Sequence, residues 1–177
     1  MSKKHQRNMI GYGKNTPTVE WPNQAKLALQ IVLNYEEGSE NCILNGDKTS
    51  ETFLSEIIGA KPIKGRHLNM ESIYEYGSRR GFWRINDLLK EKKIPATIFG
   101  VAMALEKNRD ICDEIKKSNY EIACHGWRWI DYQSIPKATE KKHMKLAIES
   151  IKKIFGKRPS GWYTGRCSPN TLDLVME

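Results

Sequence analysis

Two stretches of this 177-residue chain place acid–base side chains where apolar runs end. Leu33-Asn34-Tyr35-Glu36-Glu37-Gly38 closes the run Leu27–Leu33 with adjacent carboxylates and a glycine, and Cys124-His125-Gly126-Trp127-Arg128-Trp129 closes the run Tyr120–Cys124 with an imidazole. Barrels and open α/β enzymes assemble their sites at the carboxyl ends of successive βα strands. The pattern therefore predicts a hydrolase with Glu36, Glu37 and His125 as candidate catalytic residues, converging on one water. Side chains alternate along a strand, so the two glutamates share a pocket only if the backbone kinks, as Gly38 permits. Arg166, after Tyr163-Thr164-Gly165, could bind a carbonyl oxygen or an oxyanion, or make a surface salt bridge. Tyr35, Glu71 and Trp129 complete the candidate substrate contacts, although Glu71 also suits the start of a helix. Trp127, Trp162 and Tyr163 could wall a planar ligand or fill a core.

A metal site would need a partner for His125 at a spacing such as H-x-x-x-H. Trp129 stands at that spacing and cannot bind a metal. His143 lies among lysines in a helical stretch and reads as solvated, while His5 and His67 sit in irregular segments without a ligand pattern. No metal and no cofactor are expected.

The elements that must position these groups alternate in type. Lys26–Leu33 reads as a strand buried on both faces, Ala96–Val101 and Tyr120–Cys124 as the second and third, and Gly161–Thr164 as a short fourth. Between them lie helical patterns over Ser72–Lys93 (weakened by Gly77 and Gly81), Met103–Lys117 and Thr139–Phe155. The last has an apolar stripe at Met144, Ala147, Ile148, Ile151, Ile154 and Phe155, and stops at Gly156. Pro169-Asn170 opens another helix. Residues 38–64 form a long irregular segment with a short helical candidate at Ser50–Ile58, and loops of that length are usually functional. The fold class is α/β with parallel βα units. Either it is a small open sheet, or it is the N-terminal part of a barrel, which takes ~250 residues.

The composition excludes other classes. At 39% apolar residues the chain is long enough for one sizeable core. Its net charge of +8 invites nucleic acid, but the lysines are spread over polar helix faces without interleaved aromatics, and no nucleic-acid partner is expected. Cys42, Cys112, Cys124 and Cys167 form no CxxC pair. With no apolar leader and no membrane-length run, the expectation is a cytoplasmic protein without a membrane partner.

Asn34-Tyr35-Glu36-Glu37-Gly38 resembles the T-F-D-D-G motif of the polysaccharide deacetylase (NodB-homology) superfamily, and His125–Trp129 resembles its H-S/T-x-x-H motif. The resemblance puts Glu36 in the base position, Glu37 and His125 in two metal positions, and Trp129 in the third. The superfamily's R-P-P-Y segment has no clean counterpart in Tyr163-Thr164-Gly165-Arg166. Residues 9–13, 33–42, 69–83, 125–132 and 161–166 are similar to one branch, the metal-independent allantoinases of purine breakdown, and this likeness runs through essentially the whole chain. It implies a distorted (β/α) barrel truncated after the early βα units, with the first part of a catalytic domain over 21–177, while residues 1–20, with Gly11, Gly13 and Pro17 and no periodicity, read as an arm. It also implies a cyclic ureide substrate, allantoin opened to allantoate, and a homo-oligomer at full length. Glu36 or Glu37 would be the general base, His125 the acid or oxyanion partner, and Arg166 the group on a ring or ureido carbonyl. Two rivals stay open: a metal-dependent deacetylase of N-acetylated sugars, and an inactive remnant.

Overall fold

The computed structural model describes residues 7–177, which divide by contact density at Gln30/Ile31. In the described part before Ile31 the chain is irregular. The Asn8 side chain accepts the amides of Ile10 and Gly11, and a single 3-10 turn spans Pro22–Gln24.

From Ile31 onward the framework is a parallel sheet ordered β1 (Val32–Tyr35), β2 (Thr97–Gly100), β3 (Glu121–Cys124). Register aligns Tyr35 with Gly100 and Gly100 with Cys124. The ladder continues one step past the strands, as Val101 N–H donates to Tyr35 O and His125 N–H to Gly100 O, each at 2.9 Å. Glu36 and His125 therefore leave the sheet at the same rim.

Helices α1 (Leu68–Tyr76) and α2 (Phe82–Glu91) cross from β1 to β2, and α3 (Ala102–Lys107) and α4 (Arg109–Lys117) from β2 to β3. Helix α5 (Lys137–Phe155) follows β3, and α6 (Thr171–Met176) ends the chain. The core is mainly aliphatic, built from Ile98 and Ile122 of the sheet, Leu105, Ile111 and Ile115 of α3 and α4, and Ala147 and Ile151 of α5, with Tyr35, Phe82 and Tyr120 buried among them. The expected α5 stripe faces this core, and Gly156 closes the helix at φ 75°.

Several elements differ from the expectation. The first strand begins at Val32 and not at Lys26, because β2 supplies ladder partners only from Thr97 onward, and Leu27 and Leu29 are exposed. The helix expected at Ser50–Ile58 is absent. Ser50 instead bridges Ile63 in antiparallel fashion, and the Glu51 carboxylate captures the amides of Thr52 and Phe53, a local competition with helix formation. The helix expected over Met103–Lys117 breaks at Asn108, whose side chain caps α4 by accepting Ile111 N–H. Gly77 and Gly81 bound a π-helical turn between α1 and α2. The fourth strand shrinks to a bridge between Cys124 and Trp162. No helix among the described residues is long and apolar enough to cross a membrane.

Candidate functional site

His125 is buried directly after the end of β3. Its Nδ1 lies 2.9 Å from the Tyr163 carbonyl, which can only accept, so Nδ1 carries a proton. Its Nε2 lies 2.9 Å from Glu36 Oε1, the carboxylate that follows β1. Asn34, two residues earlier on the same face, donates to that same Oε1 at 3.0 Å. Asn34 can only donate to Oε1, and the same oxygen stands within hydrogen-bond distance of Nε2, so one proton is shared between the imidazole and the carboxyl group. Glu36 Oε2 has no protein partner among the described residues. The site thus holds an acid and a base side by side, with one carboxylate oxygen available to a water.

Glu37 behaves differently from its neighbour. Its Oε2 accepts the Glu36 amide at 2.9 Å, and its side chain packs on the bare backbone of Gly77, where a Cβ would stand 2.3 Å from Oε1. Burial pushes its carboxyl up from the ordinary range, and the backbone amides only partly offset this. Glu40 is raised for the same first reason, although its Oε2 accepts Gly38 N–H at 2.8 Å.

Two clefts open beside these groups. One, of about 360 Å³, is lined by Glu36, Glu37, Tyr74, Tyr76 and Ile85 among others. The other, of about 250 Å³, is lined by Glu37, Glu40, Cys42, Glu71, Tyr74 and Lys107. Tyr74 borders both, and its hydroxyl is buried without a hydrogen-bond partner among the described residues. Burial and the nearby charges of Glu40, Glu51 and Glu36 push that phenol far up, so it stays protonated.

The remaining candidates are distributed unevenly. Trp129 lies beside this site, its amide bonded to Ser39 O and its ring edge-on to Tyr74. The Arg166 guanidinium stacks on Trp129 at 4.0 Å from the ring centroid and pairs with Glu51 at 3.0 Å. Glu71 lines the second cleft and is paired with Arg66. Tyr35 is only 1% exposed, packs edge-on to Phe82 and directs its hydroxyl to Ser78. His143 is half-buried and not solvated, because Tyr132 Oη lies 2.9 Å from its Nδ1.

Sequence reasoning missed Asn34, Glu51, Phe53, Tyr74 and the Tyr163 carbonyl. Only Asn34 left a readable trace, since a polar residue two positions before Glu36 shares its strand face. The others reach the site through tertiary placement.

The three positions assigned to a metal by resemblance do not form a donor set. Glu37 is engaged with the Glu36 amide and Gly77, Nε2 of His125 is engaged with Glu36, and the Trp129 indole can only donate. Among the described residues no group of three His, Cys, Asp or Glu side chains gathers to hold an ion.

Comparison with known proteins agrees with this geometry at the level of fold. A family model described as polysaccharide deacetylase matches residues 69–172. A Schizosaccharomyces pombe protein with a provisional polysaccharide deacetylase name is 41% identical over 170 residues, which is 93% of this chain and 53% of that protein. The crystal structure of PuuE allantoinase is 53% identical over 97% of this chain and 57% of its own, with a TM-score of 0.91. A probable polysaccharide deacetylase from Pseudomonas aeruginosa PAO1 is 51% identical over 97% of this chain and 58% of its own, with a TM-score of 0.92. The chain thus spans little more than half the length of the relatives it matches.

Proposed function

Because the chain belongs to the polysaccharide deacetylase family of hydrolases and shares its α/β fold, we propose that it opens a cyclic ureide, converting allantoin to allantoate without a tightly bound metal. The observation that carries this reading is the replacement of a ligand set by other chemistry. Where the resemblance calls for a metal-binding histidine, Trp129 carries the Arg166 guanidinium, and the imidazole beside it is bonded to Glu36. The resemblance to PuuE allantoinase points the same way.

Ring opening needs an activated water, a stabilised oxyanion and a proton for the departing nitrogen. Glu36 Oε2 takes a proton from the attacking water as its oxygen bonds to the ring carbonyl carbon. Arg166 donates hydrogen bonds to the oxygen that becomes negative. As the C–N bond breaks and the carbonyl re-forms, the His125 imidazolium gives its Nε2 proton to the leaving nitrogen. The pair then holds Glu36 protonated and His125 neutral, and one proton transfer across their 2.9 Å contact restores it. The new carboxylic acid releases its proton to water. Glu37, raised by burial and tied to the Glu36 amide, supports the loop and does not take the water proton. The same reading has the full-length enzyme as a cytoplasmic homo-oligomer.

A metal-dependent deacetylase of N-acetylated sugars is the second reading, favoured by the relatives bearing deacetylase names. Assaying the full-length protein for allantoate formation and for acetate release, before and after chelation, separates the two. Allantoate formation that survives chelation supports the proposal. Acetate release that depends on added metal, without allantoate formation, refutes it.

A further inference from the structure

The irregular segment after β1 brings one carboxylate to the site with both of its oxygens engaged. Glu51 Oε1 accepts the amides of Thr52 at 2.9 Å and Phe53 at 3.0 Å, while Oε2 accepts Arg166 Nη1 at 3.0 Å. The segment itself is pinned, since Glu51 N–H donates to Asn41 O and Ser50 pairs with Ile63. Only 11% of the Glu51 side chain is exposed, so this pair is far less screened than a surface bridge. Aromatic rings hold the guanidinium as well, with Trp129 at 4.0 Å and Phe53 at 5.1 Å. Among the described residues Glu51 is the one hydrogen-bonding partner of the Arg166 side chain, which leaves donors of the fork unspent. Shared neighbours link the guanidinium to the catalytic pair: Tyr163, three residues earlier, holds His125, and Tyr74, edge-on to Trp129 and within electrostatic reach of both Arg166 and Glu36, borders the cleft lined by Glu36.

Resting on the reading of this site as an amide hydrolase, we propose that Glu51 is a positioning residue that holds Arg166 flat on Trp129, presenting its free N–H groups to the substrate carbonyl as the oxyanion forms. A fixed cation at this point does in the transition state what a flexible surface arginine cannot, because no reorganisation is needed when charge develops. Phe53 contributes the second wall, and so the segment of residues 51–53 acts through Arg166 alone.

The test is a double-mutant cycle on the full-length protein with Glu51→Ala and Arg166→Ala, each checked for an unchanged melting profile. Loss of positioning lowers kcat/KM about 100-fold in Glu51→Ala, mostly through kcat. In the Arg166→Ala background the same change has an effect of roughly twofold or less, since the group it positions is gone. Guanidinium ion at non-denaturing concentration restores activity to Arg166→Ala, and restores much less to the double variant. Equal losses in both backgrounds, or full activity in Glu51→Ala, overturn the proposal. If the wild type releases acetate from an N-acetylated sugar and leaves allantoin intact, the substrate reading fails by itself, and the cycle is measured on that sugar with the same two outcomes for Glu51.

Discussion

Gly77→Ala should couple directly to Glu37, although Ala is normally the better residue in a helix. Gly77 has helical angles, φ −54° and ψ −51°, so its backbone does not require glycine. On propensity alone the substitution would stabilise by about 1 kcal/mol. The new Cβ, however, would stand 2.3 Å from Glu37 Oε1 and 3.0 Å from both Cδ and Cγ. Rotating only the carboxylate tip does not clear contacts that run down the stem, so the whole side chain must leave. Its bond to the Glu36 amide then breaks, and a hydrogen bond to a charged acceptor contributes about 1.5–3 kcal/mol. The net expectation is a loss of about 0.5–2 kcal/mol, with a fall in kcat because the displaced amide belongs to Glu36. Urea unfolding of Gly77→Ala, Glu37→Ala and the double variant measures the coupling. In the Glu37→Ala background Gly77→Ala should revert to stabilising by about 1 kcal/mol. If Gly77→Ala stabilises equally in both backgrounds and leaves kcat intact, the argument that Gly77 makes room for Glu37 is wrong.

Three further outcomes are expected. Glu36→Gln keeps the shape of the pair but removes the base, and should lower kcat by ~10²–10⁴-fold without unfolding the protein; steady-state kinetics with a melting control decides, and near-normal turnover would remove Glu36 from the mechanism. Tyr74→Phe deletes a buried hydroxyl with no partner among the described residues, so the melting temperature should stay level or rise, and a clear fall would mean that the hydroxyl is bonded in solution. Burial pushes Asp47 up, but the two hydrogen bonds from Arg128 and the Cys42 amide outweigh it, and the carboxyl titrates below its ordinary value of 3.8. A lowered folded value adds stability above pH ~3.8 that is lost as pH falls through the folded value. Asp47→Asn should therefore cost about 1 kcal/mol at neutral pH, since the pair is only half-buried and solvent screens it, with the difference from wild type shrinking on acidification; a pH-independent difference would contradict this.

Local chemistry alone determined part of this protein. The apolar runs at Leu33, Ala96–Val101 and Tyr120–Cys124 mark strands, and β2 and β3 are largely buried as unbroken apolar sequence requires, whereas Val32 and Asn34 leave one side of β1 exposed, contrary to the expectation of burial on both faces. A carboxylate and an imidazole directly after two of them must emerge at one rim if the strands are parallel, and Glu36 and His125 do. The stripe of α5 and its stop at Gly156 were equally local, a matter of helical period and of φ at one residue. Tertiary structure decided what no window of sequence holds. Glu36 and His125 are 89 positions apart and Glu51 and Arg166 are 115 apart, so their pairing depends on sheet register and on the path of an irregular segment. The length of β1 was decided by β2, since a strand persists only where its neighbour offers bonds. Two adjacent glutamates with the same local signal were given different tasks by their surroundings: an imidazole received one, and a glycine on a crossing helix made space for the other.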